Sequence, residues 1–121
     1  MAHILAVDDA KVIRLMVSSA LEKEGHTVTL AENGREALNF ARDNSVDLVI
    51  TDLNMPVMNG MVLAAALRNL DNHRFTPILI MTTEDSDYKK SKAKSSGASG
   101  WIQKPVDADR LLKAVNKTLD L

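Results

Sequence analysis

The sequence predicts an α/β fold, a doubly wound five-stranded parallel sheet with five helices over its two faces. Short, nearly uninterrupted apolar runs alternate with longer stretches of helical period, which is the mark of consecutive βα units. With 121 residues, 45% apolar and 26% charged, the chain has the size and composition of one soluble domain, residues 1–121, with its own core. Right-handed crossovers then carry helices to both faces. The strand order 2-1-3-4-5 is taken over by analogy with known sheets of this kind.

The elements follow in order. Ile4 to Val7 is the first strand, apolar throughout as a strand covered on both faces must be. Ile13, Met16, Val17, Ala20 and Leu21 recur at helical spacing, and Gly25 supplies the stop. Thr27 to Ala31 alternates and suits an edge strand. Asn33 followed by Glu36 has the spacing of a capping box and opens a helix with Ala37, Leu38 and Ala41 inward. Leu48 to Ile50 is the third strand, and a helix starting near Asn59-Gly60 buries Leu63, Ala66, Leu67 and Leu70. Ile78 to Met81 is the fourth strand. The segment Ser86 to Ser96 carries Lys89, Lys90, Lys92 and Lys94, leaving only Tyr88 and Ala93 to pack. Its helix is expected to be loosely held, as a solvated charged face or a docking surface that can shift. Gly100 to Gln103 is the fifth strand, and Asp107 caps a last helix with Leu111, Leu112, Val115 and Leu119 inward.

Composition narrows the function. A net charge of −1 gives no global attraction to nucleic acid or anionic membranes. One Trp, one Tyr and two Phe offer little for base stacking. The absence of Cys excludes disulfides, thiolate zinc sites and thiol catalysis. The start Met-Ala-His-Ile-Leu-Ala-Val-Asp-Asp reaches acids after a few apolar residues, too few for a signal peptide or a membrane span. A cytoplasmic protein is expected.

Ligands of open α/β sheets bind outside the carboxyl ends of the strands. That rule brings together Asp8 and Asp9 after the first strand, Asp52 after the third, Thr82 after the fourth and Lys104 after the fifth. Taken singly, Asp9 reads as a helix cap, Asp52 as a turn, Thr82 as a strand residue and Lys104 as a surface charge. Taken together, three carboxylates in one pocket repel, by roughly 4 kcal/mol for a pair about 4 Å apart at an effective dielectric near 20. Either a carboxyl takes up a proton or a divalent cation sits among them. Hard oxygen ligands without Cys or a nearby His favour Mg²⁺, with Mn²⁺ as a substitute, over zinc. A carboxylate, a divalent metal, a lysine and a hydroxyl without a phosphate-binding glycine loop fit phosphoryl transfer. Asp52 would be the in-line nucleophile, while Lys104 and Thr82 each take a phosphoryl oxygen.

These residues resemble those of the receiver domains of two-component signalling, and within them the single-domain chemotaxis regulators of the CheY family. The resemblance covers the whole chain and rests on Val7-Asp8-Asp9, Thr51-Asp52-Leu53-Asn54-Met55-Pro56 continuing to Met58-Asn59-Gly60, Met81-Thr82-Thr83-Glu84, and Gly97 through Pro105. It implies a flavodoxin/CheY-like fold in which Asp9 and Asp52 bind Mg²⁺ directly, the Asn54 backbone carbonyl completes the protein ligands, and Asp8 holds metal waters. Asp52 is then the phosphorylated residue, Thr82 the switch hydroxyl, Lys104 its partner at the phosphoryl group, and Trp101 the aromatic that turns inward when Thr82 moves. Asn54 and Glu84 match the rapidly self-dephosphorylating chemotaxis regulators. The chain departs from the family at Thr83, where Ala or Gly is frequent, at Asn59, which replaces a common Asp, at Val106, where Phe is frequent, and at Trp101, where Tyr or Phe is common.

The resemblance further implies a monomeric signalling phosphoprotein that catalyses only its own phosphorylation and dephosphorylation. A histidine kinase of the CheA type would feed it, and a target such as the flagellar motor switch would read it on the surface from Tyr88 through the final helix. A stand-alone receiver of another phosphorelay or of a development pathway fits the same residues. A haloacid-dehalogenase-like phosphatase also uses Asp, Mg²⁺, Thr or Ser, and Lys, but places Asp-x-Asp after its first strand, whereas here Asp52-Leu53-Asn54 follows the third. A scaffold that has lost the chemistry would lack Asp8, Asp9 or Lys104, and all are present.

Overall fold

The computed structural model describes residues 2–83, 91–92 and 94–120. Five parallel strands, β1 (His3–Val7), β2 (Thr27–Ala31), β3 (Leu48–Asp52), β4 (Ile78–Thr82) and β5 (Gly100–Gln103), form one sheet in the order β2-β1-β3-β4-β5. The expected topology is therefore the observed one. Among the described residues there are four α-helices, α1 (Lys11–Lys23), α2 (Gly34–Asp43), α3 (Gly60–Arg68) and α4 (Ala108–Leu119), with a 3₁₀ turn at Asp71–His73. The helix expected over Ser86 to Ser96 lies mostly outside the described residues. Of its last turn, Ser91, Lys92, Lys94 and Ser95 are described and helical.

The apolar runs explain the sheet's interior. Every residue of β3 and β4 is buried, while β2 at the edge buries only Ala31, in keeping with its alternating sequence. Side chains divide by strand parity. Leu5, Val7, Val49 and Ile78 face Ala37, Leu38 and Ala41 of α2 and Leu63, Ala64 and Leu67 of α3. Ile4, Ala6, Ile50, Leu79 and Met81 face Val17, Ala20 and Leu21 of α1 and Leu111 and Val115 of α4. Each face of the sheet is thus a separate core, and helix pairs cover both.

The caps act as the sequence says, while burial shifts in α3 and in α4, where Leu112 and Leu119 are only partly buried. Asn33 accepts from the Glu36 N–H, Asn59 from Val62 and Asp107 from Arg110, each satisfying a first-turn N–H that has no intrahelical partner. Gly25 ends the first helical stretch at a φ of 89°, a conformation glycine adopts without strain. In α3 it is Ala64, rather than Ala66, that is fully buried. Ala66 and Leu70 pack only partly, because the helix stops at Arg68 and the chain turns at Leu70 into the 3₁₀ segment. Among the described residues no helix is long and apolar enough to cross a membrane.

Candidate functional site

Strand register sets the site. Val7 lies opposite Thr51, and Asp52 opposite Met81, so Asp8, Asp52 and Thr82 leave the sheet at one level. Lys104 follows β5 at the same end, its backbone N–H donating to the Thr82 carbonyl at 2.8 Å. The apolar runs Ile4 to Val7, Leu48 to Ile50 and Ile78 to Met81 hold no polar residue before the carboxyl ends of β1, β3 and β4, which is why the chemistry gathers there.

Asp52 is 5% exposed, and the Lys104 ammonium lies 2.7 Å from its Oδ1. The Lys104 side chain keeps one quarter of its surface in solvent, 25%, so this charge-assisted contact is a positioned one at the rim of the crevice. Asp8 is held at several points. Its N–H donates to Ala31 O at 3.1 Å, its carbonyl accepts from Arg14 Nη1 at 2.8 Å, and its Oδ1 accepts from the Ala10 N–H at 2.8 Å. Its Oδ2 is buried and has no hydrogen-bond partner among the described residues. Lys104 Nζ stands 3.9 Å away, close enough for charge attraction but beyond hydrogen-bond reach. Burial raises the Asp8 pKa, and the Asp52 and Asp9 carboxylates push it further up, against the Ala10 N–H and Lys104, which lower it.

One oxygen each from Asp8, Asp9 and Asp52 lie within 4.8 Å of one another, with Asp9 exposed and the other two buried. A buried carboxylate grouped with two others, one of its oxygens without a partner among the described residues, is the arrangement a hard divalent cation satisfies. The all-oxygen donor set fits Mg²⁺ or Mn²⁺. The structure therefore brings together Asp8, Asp9, Asp52 and Lys104 directly, and places buried Thr82 at the same strand ends. Asn54 is exposed in the loop two residues beyond Asp52, and Trp101 sits on β5, opposite Ile80 and 38% exposed. Glu84 lies outside the described residues.

Residues 4–116 match the sequence profile of the response regulator receiver domain. The chain belongs to that family. Protein PilH of Pseudomonas aeruginosa is 38% identical over 119 residues, covering 98% of each chain. Chemotaxis protein CheY of Bacillus subtilis is also 38% identical, over 122 residues, covering 99% of this chain and all of that one. The solved structure of chemotaxis response regulator CheY4 of Vibrio cholerae superposes with a TM-score of 0.94 at 46% identity, with 98% of each chain covered. The fold and family that the motifs imply are thus those found.

Several residues that support the receiver's site carried no clear sequence signal. Arg14, on the helix face beside the core stripe, ties the loop after β1 to that after β2, reaching Glu32 Oε1 at 3.6 Å as well as the Asp8 carbonyl. Thr51 is fully buried and donates to the Asp52 carbonyl at 2.9 Å. Gly60, read from sequence only as a helix start, packs directly under Asp52. A Cβ there would come within 3.0 Å of the Asp52 carbonyl oxygen, and its N–H donates to Leu53 O at 2.9 Å. Val57 takes a φ of 73° in a tight turn closed by the Met58 N–H on Pro56 O at 2.8 Å, a strained place for a β-branched residue beside the site.

Proposed function

We propose that this receiver carries a signal as an acyl phosphate on Asp52, formed in a Mg²⁺-dependent reaction with a histidine kinase of the CheA type. The observation that carries the reading is the pairing of buried Asp52 with Lys104 Nζ at 2.7 Å, beside the partnerless Asp8 oxygen. An Asp52 carboxylate oxygen attacks the phosphorus of a phosphohistidine. As the O–P bond forms, the P–N bond breaks and its electron pair returns to the imidazole nitrogen. Lys104, already in place, holds one phosphoryl oxygen, and the Thr82 hydroxyl donates to another. Asp8, Asp9, Asp52 and the Asn54 carbonyl would hold Mg²⁺, which when bound neutralises charge on the transferring group. Water attack on the phosphorus then restores the carboxylate, at a rate set by Asn54 and Glu84. These are the only reactions the protein catalyses.

Movement of Thr82 toward the phosphoryl group, with Trp101 turning inward, changes the surface that a partner reads. That partner is the flagellar motor switch, a reading supported by relatives named for chemotaxis in Bacillus subtilis and Vibrio cholerae. PilH, matched at the same 38% identity as CheY, keeps a second reading in play, a receiver serving another response. In either case the receiver acts as a monomer in the cytoplasm.

The test is intact-mass measurement after incubation with Mg²⁺ and acetyl phosphate. One added phosphoryl group that Asp52→Asn abolishes is expected, and a gain that survives the substitution refutes the assignment. Trp101 emission should respond to Mg²⁺ and to beryllofluoride, and an indifferent emission removes Trp101 from the switch. Capture of a motor-switch protein by the beryllofluoride-loaded receiver separates the two target readings.

A further inference from the structure

A cavity of about 380 Å³ opens between the start of α1 and the segment after β5, lined by Ile13, Met81, Thr83, Lys104, Pro105 and Val106. Its size lies within the range of small-molecule sites, and its walls are almost wholly hydrocarbon. Ile13 and Val106 are half-buried and pack on the same core cluster as Met81, so this is where the α1–α4 core reaches the surface. Lys104 belongs to both places, since the residue lines the cavity and its ammonium stands 2.7 Å from Asp52 Oδ1. A molecule whose anionic end pairs with Lys104 can therefore lay its remaining body against Ile13, Met81, Pro105 and Val106.

We infer that this cavity receives the leaving group of a small-molecule phosphodonor, so that an acyl phosphate with a compact aromatic body, such as benzoyl phosphate, is preferred over acetyl phosphate. The inference rests on the receiver reading and adds the class of donor to it. An Asp52 oxygen forms the new bond to phosphorus while the acyl O–P bond breaks, its electron pair leaving with the benzoate carboxylate, and no proton is required. The phenyl ring gives up water contact as it enters the cavity, and a methyl group has too little surface to gain from the same walls. A fixed apolar wall costs little to order around the ring.

The rates of Asp52 labelling by benzoyl phosphate and acetyl phosphate are compared by intact mass in the wild type and in Val106→Phe, whose ring narrows the cavity. Taking the ratio of the two donors in each protein cancels their intrinsic reactivities. The benzoyl-to-acetyl ratio is expected to fall at least about ten-fold in Val106→Phe, the scale of discrimination an apolar pocket achieves. A ratio unchanged within about two-fold overturns the inference and leaves the receiver reading standing. Labelling by neither donor removes the receiver reading and the inference with it. A second measurement needs no variant. Benzylphosphonate should shift the methyl resonances of Ile13, Met81 and Val106 in the wild type, and methylphosphonate should not. Equal responses to the two phosphonates, or none, overturn the inference.

Discussion

Gly60→Ala is the sharpest test of how the fold positions the phosphate acceptor. The added Cβ would lie under 3.0 Å from the Asp52 carbonyl oxygen, 3.1 Å from Leu53 Cα and 3.3 Å from the Asp52 carbonyl carbon. All three are backbone atoms, so no side chain can swing away. Reaching ordinary contact requires α3 and the end of β3 to move apart. Overpacking of this kind costs about 1–3 kcal/mol. Stretching the 2.9 Å Gly60 N–H to Leu53 O bond adds about 1 kcal/mol. The better helix propensity of Ala returns at most ~1 kcal/mol. A net loss of about 1–3 kcal/mol follows, read as a lower urea midpoint at unchanged slope and a melting temperature lower by roughly 5–15 °C. Because the displaced peptide is that of Asp52 itself, labelling by acetyl phosphate well below the melting temperature should slow about ten-fold or more. A variant within about 0.5 kcal/mol of wild type would refute the packing argument. One that is destabilised but labels at the wild-type rate would refute the claim that α3 sets the acceptor's position.

Three further outcomes are expected. His73 is fully buried, its Nε2 accepting from the Val46 N–H at 3.4 Å with Nδ1 on Asn72 Oδ1 at 2.9 Å, and burial, helped by Arg68, lowers its pKa below 6.5. The unfolded chain therefore binds the proton first, so the stability from neutral His73 is complete above about pH 6.5 and is lost as pH falls toward the folded value. Urea midpoints should drop between pH 7.5 and 5.5, and His73→Gln should flatten that drop; an equal drop in both proteins contradicts the assignment. Asp8→Asn removes a buried charge from the three-carboxylate cluster and should stabilise the metal-free protein at neutral pH by about 0.5–2 kcal/mol. It should also weaken the Mg²⁺ response of Trp101, and a less stable variant would show that the cluster is not strained. Arg68 donates to the carbonyls of Gly97, His73 and Thr76 at 2.6–3.0 Å, and Arg68→Lys, whose ammonium cannot span all three, should cost about 2–3 kcal/mol in urea denaturation.

How far the sequence reaches depends on the range of the interaction. The three central strands are legible because burial on both faces requires unbroken apolar runs. The helices are legible because Asn33, Asn59 and Asp107 cap them through bonds to residues only three positions on. Convergence of Asp8, Asp9, Asp52 and Lys104 is also legible, since parallel strands all point their carboxyl ends one way, so residues that follow them must meet. Strand order came by analogy, because pairing between distant segments leaves no local mark. The partnerless Asp8 oxygen, the Arg14 clip, the buried Thr51 hydroxyl and the backbone packed against Gly60 belong to the tertiary structure alone. Each is a contact whose partner lies in another element or depends on its placement. Residue types and spacing thus determined which groups gather at the site, while packing between β3, α3 and the loops after β1 and β5 decided how closely Asp52 is held and what opens beside Lys104.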